Sequence, residues 1–274
     1  MVNQEGIRRT DHGLEFDWAS YRPEDIIPLK PVHKQFITKK VAVFVAYAFY
    51  GINEYIRKNP NIPKKVAKQM IDDTRHELKY LSSSVVKESV SKMIDEALNK
   101  FDMYHPISDF TLVISPKSSA PLNNLVMEKI KQRKRGDLPM IIPDAMVKNA
   151  IRNIKVNWDL VQREPSQKTK KIIPTYYKSL MNNPDDLYSV KKVPASYRRY
   201  FVDFLKWSDN INPFWISYTA NNGKVLLVDD TVGEGVTVQE MVRQLSKYNP
   251  NQIQVFSMFL DYGAAYEKLP TPTA

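Results

Sequence analysis

Between Lys224 and Asn249 the chain passes from Val225-Leu226-Leu227-Val228 to Asp229-Asp230, then through Thr231-Val232-Gly233-Glu234-Gly235-Val236-Thr237. An apolar run without polar alternation predicts a strand buried on both faces, and such strands belong to sheets covered by helices on both sides. The two acids are then expected at its carboxyl end. Beyond the glycines, Thr237 to Glu240 fits a capping box, and Val238, Met241, Val242 and Leu245 share one helical face. Asn249-Pro250 stops that helix, and Ile253 to Phe259 reads as the next strand. The whole is a strand, helix, strand unit, which predicts an α/β fold with an open, mainly parallel twisted sheet flanked by helices. In such sheets ligands bind at the loop that follows the strand.

The residue types of that loop suit a phosphate. Gly233 and Gly235 allow backbone N–H groups to turn inward, and the helix that follows presents its unbonded N–H groups and the positive end of its dipole. Successive strand residues point to opposite faces, so Asp229 and Asp230 diverge. Each can accept hydrogen bonds from vicinal sugar hydroxyls, directly or through Mg²⁺. Phosphate, diol and metal together suggest a ribose 5-phosphate.

More than a hundred residues upstream the pattern recurs. Phe110 to Ile114 reads as a strand, Ser115 to Ser119 as a tight loop, and Pro121 onward as a helix with Leu122, Leu125, Val126 and Ile130 inward. Leu138 to Ile142 is a candidate second strand, after the basic stretch containing Lys129, Lys131, Arg133, Lys134 and Arg135.

The first segment resembles the signature of the type I phosphoribosyltransferases, which bind phosphoribosyl pyrophosphate (PRPP): four apolar residues, two acids, two mostly apolar residues, then a Gly- and Thr-rich turn. The resemblance implies that Asp229 and Asp230 hold the ribose hydroxyls and act as the catalytic acids. It implies a 5-phosphate loop made of Thr231, Val232, Gly233, Glu234, Gly235, Val236 and Thr237, and a pyrophosphate loop made of Lys117, Ser118 and Ser119. Mg²⁺ is the implied cofactor, bound through PRPP and one of the two aspartates. The implied activity is transfer of the phosphoribosyl group to a base or amine acceptor with release of pyrophosphate. Gly233-Glu234 stands where the family favours a hydroxyl residue, and it brings a carboxylate near a phosphate. Because of that departure, a PRPP-fold regulatory protein or nucleic-acid and protein scaffold without turnover is the alternative. The stretch Pro165 to Lys171 is similar in spacing to basic, Gln-containing loops of the competence-associated ComF-type branch. In the family a mobile loop between residues 144 and 222 covers the site, and which basic residue it would supply is left open. Receiver domains also end a strand in paired acids, but early in the chain and without the Gly-x-Gly turn. The blander alternative is an α/β fold in which the acids only cap a loop.

Composition bounds the rest. With 274 residues, 43% of them hydrophobic, the chain can bury a full core. The absence of cysteine removes thiol chemistry and disulfides and suits a cytoplasmic setting. Val41 to Ile52, the longest apolar run, is shorter than a bilayer span, and the residues after Met1 do not read as a signal peptide, so no membrane association is expected. A net charge of +10 fits an anionic substrate or, as a lesser alternative, nucleic acid, with Tyr176, Tyr177, Tyr197 and Tyr200 near basic residues. His12, His33, His76 and His105 show no metal-ligand spacing. From Lys64 to Tyr104 there is neither Gly nor Pro, and apolar residues recur at helical spacing with a break expected near Ser82 to Ser84. Residues 1–104 are accordingly expected to be a largely helical region serving as hood, dimer surface or partner module, and residues 105–274 the phosphoribosyltransferase-like core. A homodimer is the oligomer the resemblance implies.

Overall fold

The computed structural model describes residues 6–10, 13–17, 27–29, 42–51, 69, 73, 76–134, 136–137, 139–232 and 235–260. The chain opens with β1 (Gly6–Thr10) and β2 (Gly13–Asp17), an antiparallel pair, followed by β3 (Ile27–Leu29) and β4 (Ala42–Gly51). Next come α1 (Ser84–Tyr104), β5 (Leu112–Pro116), α2 (Pro121–Arg133) and β6 (Met140–Lys148). An insert of β7 (Lys155–Val156), α3 (Trp158–Gln162), α4 (Gln167–Leu180), β8 (Phe201–Val202) and β9 (Leu205–Trp207) follows. It leads to α5 (Pro213–Ala220), β10 (Lys224–Val232), α6 (Val236–Leu245) and β11 (Gln252–Leu260).

Seven strands form the main sheet in the order β3-β4-β11-β10-β5-β6-β9. The central five are parallel, and β3 and β9 join the two margins antiparallel. The fold is therefore α/β with a mainly parallel sheet flanked by helices. Ala42–Gly51, whose apolar run periodicity alone leaves between helix and strand, is a strand beside β11. Strands as well as helix thus occur in the first 104 residues.

Why the centre is so apolar follows from the layers. Val225, Leu226, Leu227 and Val228 are fully buried, alternately in two separate cores. One core gathers α6 residues Val238, Met241 and Leu245 with Val225 and Leu227. The other gathers α1 and α2 residues, among them Ile94, Leu98, Val126 and Ile130, with Leu226 and Val228. Each such side chain contributes about 1.5–3 kcal/mol by leaving water, which is why these strands carry no polar alternation.

Polar ties fix the helices on this frame. Asp95 of α1 takes Lys129 at 2.6 Å and Arg133 at 3.2 Å, both from α2. Part of the basic stretch before β6 is therefore engaged with α1. Arg243 of α6 binds Glu240 at 2.7 Å and also Asp203, which joins β8 to β9 with φ 63°. The expected break before α1 lies where it was read. A helical turn at residues 76–80 ends at Leu81, with φ 50°, and the Ser83 side chain caps α1 by accepting from the Val86 N–H at 3.2 Å.

At the amino ends of the central strands, Thr111 Oγ1 donates to Thr219 O at 2.6 Å, and Gly223 passes between them. A Cβ at Gly223 would lie 2.1 Å from Thr111 Oγ1 and 2.5 Å from the Thr219 carbonyl oxygen. Gly223→Ala is expected to destabilise the fold by about 2–3 kcal/mol through overpacking against backbone. Urea denaturation of the two proteins should show a lower midpoint with an unchanged slope; equal midpoints would refute the close approach.

Candidate functional site

The sheet parts where its connections reverse. β5 and β10 share the register Val225↔Leu112, Leu226↔Val113 and Leu227↔Ile114. Beyond that, β5 leans towards β6: Pro116 pairs with Met146, and the Lys117 N–H donates to the Met146 carbonyl at 2.7 Å. β10 stays with β11 as far as Val232↔Leu260. From this point β5 leads through α2 to β6 on one side, and β10 leads through α6 to β11 on the other. Their helices pack on opposite faces. Such a switch point opens a crevice at the carboxyl ends of the strands.

Asp229 and Asp230 line this parting. Alternation along β10 directs Asp230 to the α1/α2 layer, with Leu226 and Val228, and Asp229 to the α6 layer. Asp230 is 3% exposed, yet both its oxygens are partnered. Oδ1 meets Lys79 Nζ at 2.8 Å, and Oδ2 accepts from Ser118 Oγ at 3.5 Å. Asp229 has a different electrostatic setting. Burial, and then the neighbouring Asp230 carboxylate, push its pKa up to about 7, while Lys79 and a backbone hydrogen bond act in the opposite sense.

The loops around the acids differ in part from the sequence expectation. β10 runs past the acids to Val232, so Thr231 and Val232 are strand residues paired with Phe259 and Leu260, not loop residues. The parallel partner β11 is long enough to carry the ladder that far. Gly233 and Glu234 lie outside the described residues. Gly235 is the N-cap of α6 with φ 71°, a conformation that costs glycine little. Val236 and Thr237 fall in the first turn, where N–H groups lack intrahelical acceptors. Thr237 therefore does not cap the helix. Nor does Glu240 reach back, because its carboxylate accepts from Arg243 Nε at 2.8 Å and Gln244 Nε2 at 2.9 Å.

Across the parting lies the loop Lys117 to Ser119. Lys117 and Ser119 are exposed, whereas Ser118 turns inward, accepting from the Ala120 N–H at 3.1 Å while it reaches Asp230. Asn123, in the first turn of α2, is fully buried and donates to the Pro116 carbonyl at 3.1 Å, which holds the end of β5. Lys79 and Asn123 both escaped the sequence reading. A polar residue beside Leu122 on an inward helix turn was a usable signal for Asn123; Lys79 had none, because its approach to Asp230 is purely tertiary.

The interval from 144 to 222 adds Ile173, Tyr188, Tyr200 and Phe201 to the core that also holds Val225, Leu227 and the α6 residues. Within that interval Arg152 pairs with Asp185 at 2.6 Å and Lys155 with Asp203 at 3.2 Å. Tyr200 is 1% exposed, and Tyr176, Tyr177 and Tyr197 are partly buried against that same core.

Because Asp229 and Asp230 diverge, a Mg²⁺ ion would take one of them and complete its shell with water and substrate phosphates. Among the described residues no group of three or more His, Cys, Asp or Glu side chains could hold a metal by itself. No described helix is long and apolar enough to cross a membrane.

The position of Asp229 makes folding stability depend on pH. A carboxyl that titrates near 7 when folded and near its ordinary value when unfolded binds more protons in the native state between those limits. The Asp229 contribution is expected to be most favourable below about pH 4, to fall as pH rises through about 7, and to level off above it. Asp229→Asn should come close to the parent at pH 4 and exceed it by about 4 kcal/mol at pH 8. Chemical denaturation across that range checks this; parallel curves for the two proteins would sink the assignment. No protein-family model matches the chain, and no curated protein matches it.

Proposed function

We propose that this chain is a Mg²⁺-dependent phosphoribosyltransferase-like protein that binds PRPP at the parting of β5 and β10. The observation that carries the reading is the pairing, across one switch-point crevice, of Asp229-Asp230 on β10 with the Ser118 loop before α2. The glycine-capped start of α6 supplies the third part. In this reading the vicinal ribose hydroxyls donate to the two aspartates, and the N–H groups of the first turn of α6 face the 5-phosphate. The loop Lys117 to Ser119 takes the pyrophosphate, with Lys117 as its cation.

In the proposed reaction the bond from the anomeric carbon to the pyrophosphate oxygen breaks, and its electron pair leaves with pyrophosphate. The acceptor nitrogen forms the new bond to that carbon and releases its proton to solvent. Bound Mg²⁺ would neutralise charge on the leaving pyrophosphate. The developing positive charge at the ribose lies near Asp229 and Asp230, so the chain contributes mainly position and electrostatics. The acceptor in this reading is a base or amine, and the proposed setting is the cytoplasm.

A second reading, a PRPP-fold regulatory protein without turnover, draws on Lys79 already occupying Asp230 and on the acidic Glu234 of the phosphate loop. Calorimetric titration with PRPP, with and without Mg²⁺, and with ribose 5-phosphate and pyrophosphate as controls, separates the outcomes. Saturable Mg²⁺-dependent binding is expected, and Asp230→Asn should weaken it about 10- to 100-fold by removing a charged acceptor. Unchanged affinity in that variant would defeat the site assignment. Binding without pyrophosphate release across an acceptor panel would favour the regulatory reading.

A further inference from the structure

Lys79 is the least expected member of the crevice. It comes from the helical turn at residues 76–80, well outside the two strand-loop-helix segments. That turn is held by Leu78, which is fully buried in the core shared by α1 and α2. The ammonium reaches Asp230 Oδ1 at 2.8 Å, and its side chain keeps 34% exposure while Asp230 keeps 4%. The lysine thus borders water, and the carboxylate does not. An incoming divalent cation on Asp230 would face the Lys79 ammonium across a single carboxylate, in surroundings where water screens poorly. An anion arriving with that cation changes the balance, since the flexible lysine can transfer to the anion and leave the carboxylate to the metal.

We propose that Lys79 is a specificity-determining residue that withholds Asp230 from free divalent cations and yields it to the metal complex of a phosphate-bearing ligand. The proposal deepens the PRPP reading and rests on it for the identity of that ligand. The ion pair itself stands on geometry alone. Lys79 would then have opposite effects on two ligands: it weakens the bare metal and strengthens the metal complex of a phosphate.

The test uses Mn²⁺ as a paramagnetic probe, with free metal counted by electron paramagnetic resonance on the full chain. Lys79→Met is expected to bind Mn²⁺ alone about tenfold more tightly than the parent, because Asp230 loses its counter-ion. Lys79→Arg, which keeps the charge, should behave as the parent. Adding Asp230→Asn to Lys79→Met should abolish the gain. For Mn²⁺ with pyrophosphate the order should reverse, with Lys79→Met weaker than the parent. Lys79→Gln serves beside Lys79→Met as a second neutral variant, and melting curves confirm that each variant is folded. Mn²⁺ affinity in both neutral variants within about twofold of the parent overturns the proposal, whether all bind or none does. The PRPP reading is judged separately: a Mn²⁺ gain with no PRPP binding removes the proposed reaction and leaves the role of Lys79 standing. PRPP binding without a Mn²⁺ gain does the reverse.

Discussion

The parting of β5 from β10 is the constraint on which the rest of the structure turns. Three paired residues hold the strands together at their amino ends, where Gly223 and Thr111 leave no space between segments. Past Ile114 and Leu227 each strand follows a different neighbour, because each feeds a helix on a different face. Right-handed crossovers running in opposite directions cannot close that gap. The gap in turn brings two carboxylates, a serine loop and the start of α6 to one place, although the residues concerned are separated by more than a hundred positions.

Burial sets the electrostatics of that place. Asp229 and Asp230 are consecutive, yet their partners differ because the pleat sends them to different layers. Asp230 is compensated by a lysine and a serine, while Asp229 bears desolvation and the repulsion of its neighbour. Two chemically identical side chains thereby acquire different partners without any difference in sequence context beyond parity. A similar economy is visible at Asp95, which draws two cations of α2 onto α1. Such pairs engage some of the basic side chains, while the net excess of +10 is unaffected by pairing.

What the sequence made legible was local. Val225 to Val228 announced a doubly covered strand because hydrophobic continuity is a direct record of burial on two faces, and Pro121 and Leu122 to Ile130 announced α2 for similar reasons. Boundaries were less readable. β10 extends through Thr231 and Val232 because β11 offers a partner that far, a fact about the neighbour and not about those residues. The capping-box pattern at Thr237 and Glu240 failed because Arg243 and Gln244, one turn on, compete for the glutamate. Lys79 was invisible for the strongest reason: nothing local distinguishes a lysine that will meet a buried acid from one that will meet water.

The margins of the sheet carry a further consequence. Both are short antiparallel strands of three residues, β3 with Pro28 at its centre and β9 with Lys206 at its centre. A proline withholds a ladder donor, and a lysine resists burial against another chain, so neither margin is a good template for strand addition. At these two strands, addition of a strand from a second copy of the chain is disfavoured by the same two residues.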